Sequence, residues 1–531
     1  MVSGALSKAQ RHDHTICRLS RLIFVFLVLL FSAACIRTRP EVVIVTADPE
    51  DTPAPPTTIA TVNNQSLTPL IVATLDAATP VPASSFPTEY VVQAGDTLSG
   101  IAALHGVSLE TLLAANELID PNFLAIGQVI QLPEPPSTLS EAFKIIPDSR
   151  LVRGPGSDSF NVQQFITQQP GYVRDAIDTV EGQIMTTAQI IQRVSLEFSV
   201  DSRLLIALIE YRSGWLSNAE PPEERRIHPL GAGPSPTGFD RDGLYRQLAW
   251  AADQLNAGYY GWQYRELNAV EFEDGTRIGF AAGLNAGTIG LQYMLSQFNA
   301  YGIWSRDISA DGFYHIYVSL FGDPFVSALD PLVPAGIQQP PLTLPFDQGE
   351  VWYYTGGPHG GWGVGSAWSA IDFAPPDDLT EVDSACYVSR TWATAVAPGV
   401  IARSGDGVVI LDLDGDGREA TGWTVLYLHM ASDGRIEEGV VVEAGQRLGR
   451  PSCEGGFSNG THMHIARRYN GEWIPADCRG CSPEQTKPSF KLGNWTVVTI
   501  PGQEYQGFLV NGAEERVAEQ GRLTSVNLVS W

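Results

Sequence analysis

The chain has 531 residues, enough for several domains at about 100–200 residues each, and 44% of them are apolar, enough for ordinary cores. Its net charge of −26 excludes a nucleic-acid partner, because phosphate binding needs a basic surface, and disfavours docking on anionic lipid by charge alone. The six cysteines and nine histidines are few for this length, so their positions are informative.

At the N-terminus Arg11, Arg18 and Arg21 precede "LIFVFLVLLF", Leu22 to Phe31, and then come Ser32, Ala33, Ala34 and Cys35. A basic region, a ten-residue apolar run and small residues predict an export signal over residues 1–35. The run falls short of the roughly 20 residues that a spanning helix needs. A cysteine directly after small residues resembles a bacterial lipoprotein lipobox, with Ser32 where that pattern usually has Leu. The resemblance implies lipidation of Cys35 and a lipid anchor on the outer face of a membrane. Residues 36–87 are rich in Thr, Pro, Ala and Ser without periodicity. They predict a disordered tether with a mean reach on the order of 40 Å.

Residues 88–134 form the next unit. "YVVQAGDTLSGIAALHGVSLETLLAANELIDPNFLAIGQVIQLP" runs from Tyr90 to Pro133. A short strand leads into a turn, and Asp96 or Thr97 can cap a helix that Gly106 stops. Ser108 starts a second helix, and "QVIQLP" closes as a strand. This order, with its "GDTL" and "AAN" stretches, resembles a LysM domain along its full length. The resemblance implies a βααβ module that binds the N-acetylglucosamine chains of peptidoglycan or chitin. It places the groove between Gly95, Asp96, Thr97 and Leu98 on one side and Leu118 and Ile119 on the other.

Residues 140–335 read as mainly helical. Apolar residues recur at helical spacing through "TAQIIQRVSLEFSVDSRLLIALIEYRSGWLS", where Asp201 or Ser202 can start the second helix. "LYRQLAWAADQLNAG" and "NAGTIGLQYMLSQF" continue the pattern. The piece "ALIEYRSGW" is similar to the "ALIxxESG" stretch of lytic transglycosylases and other lysozyme-like muramidases, which implies a related fold. Such enzymes need a protonated Glu as general acid, and Arg212 occupies that slot here. Glu210 is the nearby carboxyl, and two residues along a helix turn it about 200° away. A glycosidase working through Glu210 is one alternative reading.

"PAGIQQPPLTLPF", Pro334 to Phe346, is Pro-rich and marks a boundary. From residue 347 to 531 short Val/Ile/Tyr runs are punctuated by Gly and Asp, which predicts a mainly antiparallel β domain. Within "GTHMHI", His462 and His464 are two apart, so a strand projects both from one face while Met463 points the other way. His359 lies in "GGPHGGWG", Asp372 in "SAIDFAPP" and His429 at the end of "TVLYLHM".

As a set these residues resemble the LytM or lysostaphin-type zinc metallopeptidases: an early His and Asp, then "YLHM", then "GTHMHI". The resemblance covers about 150 residues. It implies Zn2+ held by His359, Asp372 and His464, with water in the fourth position and His429 and His462 flanking it as catalytic residues. The usual family spacing is His-x-x-x-Asp. Here 12 residues separate His359 from Asp372 and Trp368 stands in the usual place, so "GGWGVGSAWSA" has to loop out for His359 to reach the metal. The implied activity is a murein endopeptidase acting on the stem or cross-bridge peptides of peptidoglycan, with the glycan-binding module raising local substrate concentration. The other alternative is a non-enzyme that binds peptidoglycan and activates amidases, as related lipoproteins that lack the zinc residues do.

Cys386, Cys453, Cys478 and Cys481 all fall in the last third of the chain. In an exported protein disulfides are expected. Four cysteines allow three pairings, of which Cys478 with Cys481 and Cys386 with Cys453 is favoured, and a four-cysteine zinc site is the rival. "DLDGDGRE", Asp412 to Glu419, matches the first half of a calcium loop. Position 12 of that loop is Trp423 rather than Glu, and a Gly/Asp hairpin turn accounts for the stretch.

Overall fold

This computed structural model describes residues 89–531 except 94–95, 106–108, 117–123, 134–137, 236–237, 378–383, 479–480, 482–485 and 523–524. The export signal, Cys35 and the tether lie outside the described residues. No described helix is long and apolar enough to cross a membrane.

The first module has the order β1 (Glu89–Val91), α1 (Leu98–Leu104), α2 (Leu109–Ala114) and β2 (Val129–Gln131), with β1 and β2 antiparallel. Thr97 caps α1, its hydroxyl accepting the Gly100 N–H at 3.0 Å. Asp96 closes the turn before it, accepting from Tyr90 Oη at 2.9 Å and from Gln93 N at 2.6 Å. Asn116 of the "AAN" stretch exchanges two hydrogen bonds with the Gln131 backbone and donates to Leu112 O, which pins β2 to α2. A small core of its own holds the module, including Val92, Leu98, Ile101, Leu112 and Ile130.

The helical region carries two small hairpins, β3 (Ile177–Val180) with β4 (Gln183–Thr186) and β5 (Ala269–Glu271) with β6 (Arg277–Gly279). Its helices include α3 (Thr187–Phe198), α4 (Ser202–Ser213), α5 (Leu244–Tyr264) and α6 (Ala286–Ser296). Thr186 and Gln189 form a reciprocal capping box on α3. Asp201 starts α4 by accepting the Arg203 N–H, and Gly214 ends it in the left-handed region at φ 64°.

The C-terminal region contributes β7 (Val351–His359), β8 (Ala370–Ala374), β9 (Gly399–Gly405), β10 (Val408–Asp412), β11 (Trp423–Leu428), β12 (Val441–Val442), β13 (Met463–Tyr469), β14 (Trp495–Ile500), β15 (Gln503–Asn511) and β16 (Leu528–Ser530). Its main sheet has the antiparallel order β12-β9-β10-β11-β13-β8-β7-β16, while β14 and β15 pair in a second sheet. Two of its strands read as unbroken apolar runs, Val408–Leu411 and Val425–Leu428. Such runs belong to a sheet covered on both faces.

One face, with Phe373, Val409, Leu411, Tyr427, Met463 and Ile465, packs into a core of this region. The alternate residues Ala370, Val408, Ile410, Leu426, Leu428 and Ala466 belong to the core of the helices. The two regions therefore share one apolar interior across the sheet. Leu342, Leu344 and Phe346 of the Pro-rich segment are buried in the C-terminal core, so the chain has joined that region before the prolines end.

A polar seam runs along the same junction. Glu472 accepts from Tyr259 Oη and Tyr264 Oη, both at 2.8 Å, and the Trp473 N–H donates to Tyr260 Oη at 2.9 Å. Nearby, Glu419 is buried between Arg403 and Arg468, at 2.6 and 2.8 Å. Burial opposes its charge, yet the two guanidiniums hold its carboxyl well below the usual range.

Candidate metal centre

β7, β8 and β13 are neighbours in the sheet, and their register brings the site residues together. Asp372 stands opposite His464, and Gly356 opposite Asp372, with irregular register toward His359. His429 follows β11 in the left-handed region at φ 65°. The segment between β7 and β8 folds back as a ten-residue loop from Gly360 to Ser369, so the two strands run antiparallel and His359 ends beside Asp372.

The inner atoms lie close. Asp372 Oδ1 is 3.4 Å from His359 Nε2, 3.3 Å from His464 Nδ1 and 3.7 Å from His462 Nε2. His359 Nε2 and His464 Nδ1 are 2.9 Å apart. The His429 and His462 rings have centroids 4.5 Å apart. Trp368 takes no part in this cluster; its carbonyl accepts from Ala476 N at 2.8 Å.

The outer nitrogen of each histidine meets a backbone carbonyl. His359 Nδ1 contacts Gly357 O at 2.8 Å, His464 Nε2 contacts Gly361 O at 3.1 Å, His429 Nδ1 contacts Glu454 O at 3.1 Å and His462 Nδ1 contacts Gly460 O at 2.8 Å. A carbonyl only accepts, so each outer nitrogen carries the proton and each inner nitrogen presents a lone pair. Asp372 Oδ1 is buried without a hydrogen-bond partner. Two imidazole lone pairs and an unpartnered carboxylate oxygen at these distances repel one another unless a cation sits among them. His359, Asp372 and His464 could supply that cation with three ligand atoms, all within 4.8 Å of one another.

Electrostatics follow from the same packing. Burial raises the Asp372 carboxyl, but His359 and His462 outweigh it and hold the group well below its usual range. Burial lowers His359 and the Asp372 carboxylate raises it, with a net upward shift. Burial, then the neighbouring His462 and His464, push His429 down to about 3, which keeps it neutral near pH 7.

An open cleft of about 590 Å³ adjoins Asp372 and His462, lined also by Thr355, Tyr387, Asn459, Tyr505 and Arg522. Tyr505, the third residue of β15, stacks on His359 with centroids 4.3 Å apart and planes 19° from parallel. It holds φ at 65°, and burial pushes its hydroxyl up to about 12. Neither Tyr505 nor the carbonyls at Gly357, Gly361 and Gly460 carries a motif that marks it in the sequence.

Other sequence candidates fall elsewhere. Gly95, Leu118 and Ile119 lie outside the described residues. Leu98 is buried in the core of its module, so its side chain is a packing group. Glu210 uses its carboxylate on the turn after α4, accepting from Leu216 N, Ser217 N and Ser217 Oγ. Arg212 donates to Leu230 O and lies over the Phe298 ring. Cys386 pairs with Cys453 and Cys478 with Cys481, which leaves no four-cysteine zinc site. Asp412, Asp414 and Asp416 are close together, but Asp412 accepts from the N–H groups of Asp414 and Gly417 and so closes a turn between β10 and β11.

Comparison with known proteins fits this layout. Residues 90–133 match the LysM domain model, and residues 144–333 match the model described as LasA, N-terminal domain. Protease LasA of Pseudomonas aeruginosa is 25% identical over 345 residues, covering 62% of this chain and 74% of that protein. The chain is thus similar to protease LasA and carries a stretch that matches the LysM domain model. N-acetylmuramoyl-L-alanine amidase XlyB of Bacillus subtilis is 59% identical over 51 residues, covering 10% of this chain and 16% of that protein. Among solved structures, the M23 metalloprotease pseudoalterin from the deep sea is 23% identical, with a TM-score of 0.26, and covers 34% of this chain and 96% of its own. The catalytic domain of lysostaphin from Staphylococcus simulans is 21% identical, with a TM-score of 0.17, and covers 23% of this chain and 86% of its own.

Proposed function

We propose that this chain is a zinc endopeptidase that cleaves peptide bonds in peptidoglycan while its LysM module holds the glycan. The observation that carries the reading is the unpartnered Asp372 Oδ1 facing two inward imidazole lone pairs. Ligand atoms around a tetrahedral zinc stand about 3.3 Å apart, close to the 3.3 and 3.4 Å between Asp372 and the two histidines and above the 2.9 Å between the histidines themselves. His359 Nε2, Asp372 Oδ1 and His464 Nδ1 would hold the ion, beside the cleft that Asp372 also lines. When bound there, zinc supplies Lewis acidity and a water acidified enough to deprotonate near neutral pH.

His429 and His462 do the proton work jointly. Their outer N–H groups are committed to carbonyls, so their Nε2 atoms are free to take a proton from water and return it to the leaving amine. The histidine that holds the water's proton can hydrogen-bond the developing oxyanion before it passes that proton to the leaving amine. Asp372 Oδ1 lies 3.7 Å from His462 Nε2. The wide cleft admits an extended peptide, and its Thr, Asn and Tyr lining suits a polar backbone.

We further propose that residues 1–35 direct export, that Cys35 carries the lipid anchor, and that Asp96 and Thr97 border the glycan groove. The test uses residues 36–531 with Cys35→Ser on purified peptidoglycan. New free amino groups are expected with the intact site and none with His464→Ala. Equal release by both proteins, or none by either, overturns the peptidase reading.

A further inference from the structure

We infer that the helical region is a working part of the metal centre, with Asp253 and Arg265 acting as positioning residues for His464. This rests on the zinc-site reading above. The connection runs through the 360–369 loop. His464 Nε2 donates to Gly361 O, so the loop fixes both the ring orientation and the tautomer that leaves Nδ1 facing inward.

Within the loop Gly361 N donates to Ala367 O and Trp362 N to Ser366 Oγ, both at 3.2 Å, while Ser369 N donates to Ala367 O at 2.7 Å and Ser366 Oγ to Gly363 O at 3.3 Å. Its shape is set by what it lies on. At its start Gly360 N donates to Glu504 Oε1 at 3.3 Å. Past its middle, Gly365 N donates to Asp253 Oδ1 at 2.8 Å, and Arg265 donates to Gly365 O at 2.9 Å and Ser366 O at 3.3 Å. Asp253 lies on α5, and Arg265 directly follows it. The backbones touch: a Cβ on Gly365 would fall 2.0 Å from Asp253 O. Asp372 and His464 also project from the sheet face that carries Ala370 and Ala466, which the helices bury.

The helices thus set the height of the loop, and the loop sets His464. Lifting the loop removes the outer acceptor of a ligand, a change that typically costs about 10- to 100-fold in metal affinity.

The experiment measures zinc affinity of the full chain by competition with a chromophoric chelator, with metal-free thermal melts recorded beside it. Asp253→Ala removes the acceptor for Gly365 N, and alanine is well tolerated in a helix. It is expected to weaken zinc binding about tenfold or more. Asp253→Asn keeps an oxygen acceptor and is expected to restore affinity. Tyr264→Phe removes a hydrogen bond at the same junction without touching the loop. It is expected to lower the melting temperature and leave zinc affinity unchanged. Wild-type affinity in Asp253→Ala, or equal losses in Asp253→Ala and Tyr264→Phe, overturns the inference. Should Asp253→Ala not fold, Arg265→Lys, which keeps the charge and loses one carbonyl contact, is read against the same thresholds. His464→Ala separates the two levels: if it binds zinc like wild type, the zinc site itself is wrong, whereas loss of zinc there alone defeats only the positioning role.

Discussion

Asp253 sits where burial opposes its charge. Burial pushes its carboxyl up to about 6, although the N–H of Gly365 pulls the other way. The folded chain therefore holds a proton that the unfolded chain releases between about pH 4 and 6. Stability falls as pH rises through that window, by up to roughly 3 kcal/mol above it. Asp253→Asn cannot ionise, so its thermal melts should lose this part of the pH dependence while still accepting from Gly365. Melting temperatures for wild type and variant that track in parallel from pH 4 to 7 would contradict the account. The residue has no motif around it, and its partner is a backbone N–H 112 positions away. By contrast His462 and His464 were legible at once, because strand periodicity puts both on one face. Gly361 was not, because its contribution is a carbonyl, which every residue has.

At the scale of elements, the two disulfides close loops of very different size. Cys386–Cys453 spans 67 residues and Cys478–Cys481 spans 3. By loop-closure entropy the first is worth about 4 kcal/mol and the second about 1–2 kcal/mol. Urea denaturation of the two double Cys→Ser variants should show that order, and the reverse would count against the entropic account. The larger bridge also holds the neighbourhood of His429, since Glu454 O receives its Nδ1 and Ser452 N donates to His429 O at 2.6 Å. The capping residues Thr97, Thr186 and Asp201 show how far local chemistry goes in marking where helices begin. The insert between β7 and β8 shows its limit. Ten residues of mostly Gly, Ser and Trp carry no pattern that gives their path, which depends on partners far away in sequence such as Asp253, Arg265 and Glu504. The unbroken apolar runs of β10 and β11 announce a second covering layer without saying which part of the chain supplies it.

For the whole molecule, the distribution of cores predicts how it comes apart. The helical and C-terminal regions share an interior, whereas the LysM module has its own small core. It meets the rest through polar contacts such as Thr111 with Glu271. Calorimetry should show one large transition for the joined regions and a separate small one for the module. A chelator should lower only the large one, because a ligand that binds the native state stabilises the unit containing its site. Three transitions, or a chelator-sensitive small one, would contradict this. The last strand has a consequence of another kind. β16 pairs with β7, the strand that ends in His359, yet it is translated after every other strand described here. Without those residues the outer edge of β7 has no paired strand. The strand that ends in a candidate metal ligand thus depends for one of its two ladders on a segment far along the chain, so the sheet around the site is complete only once both have met.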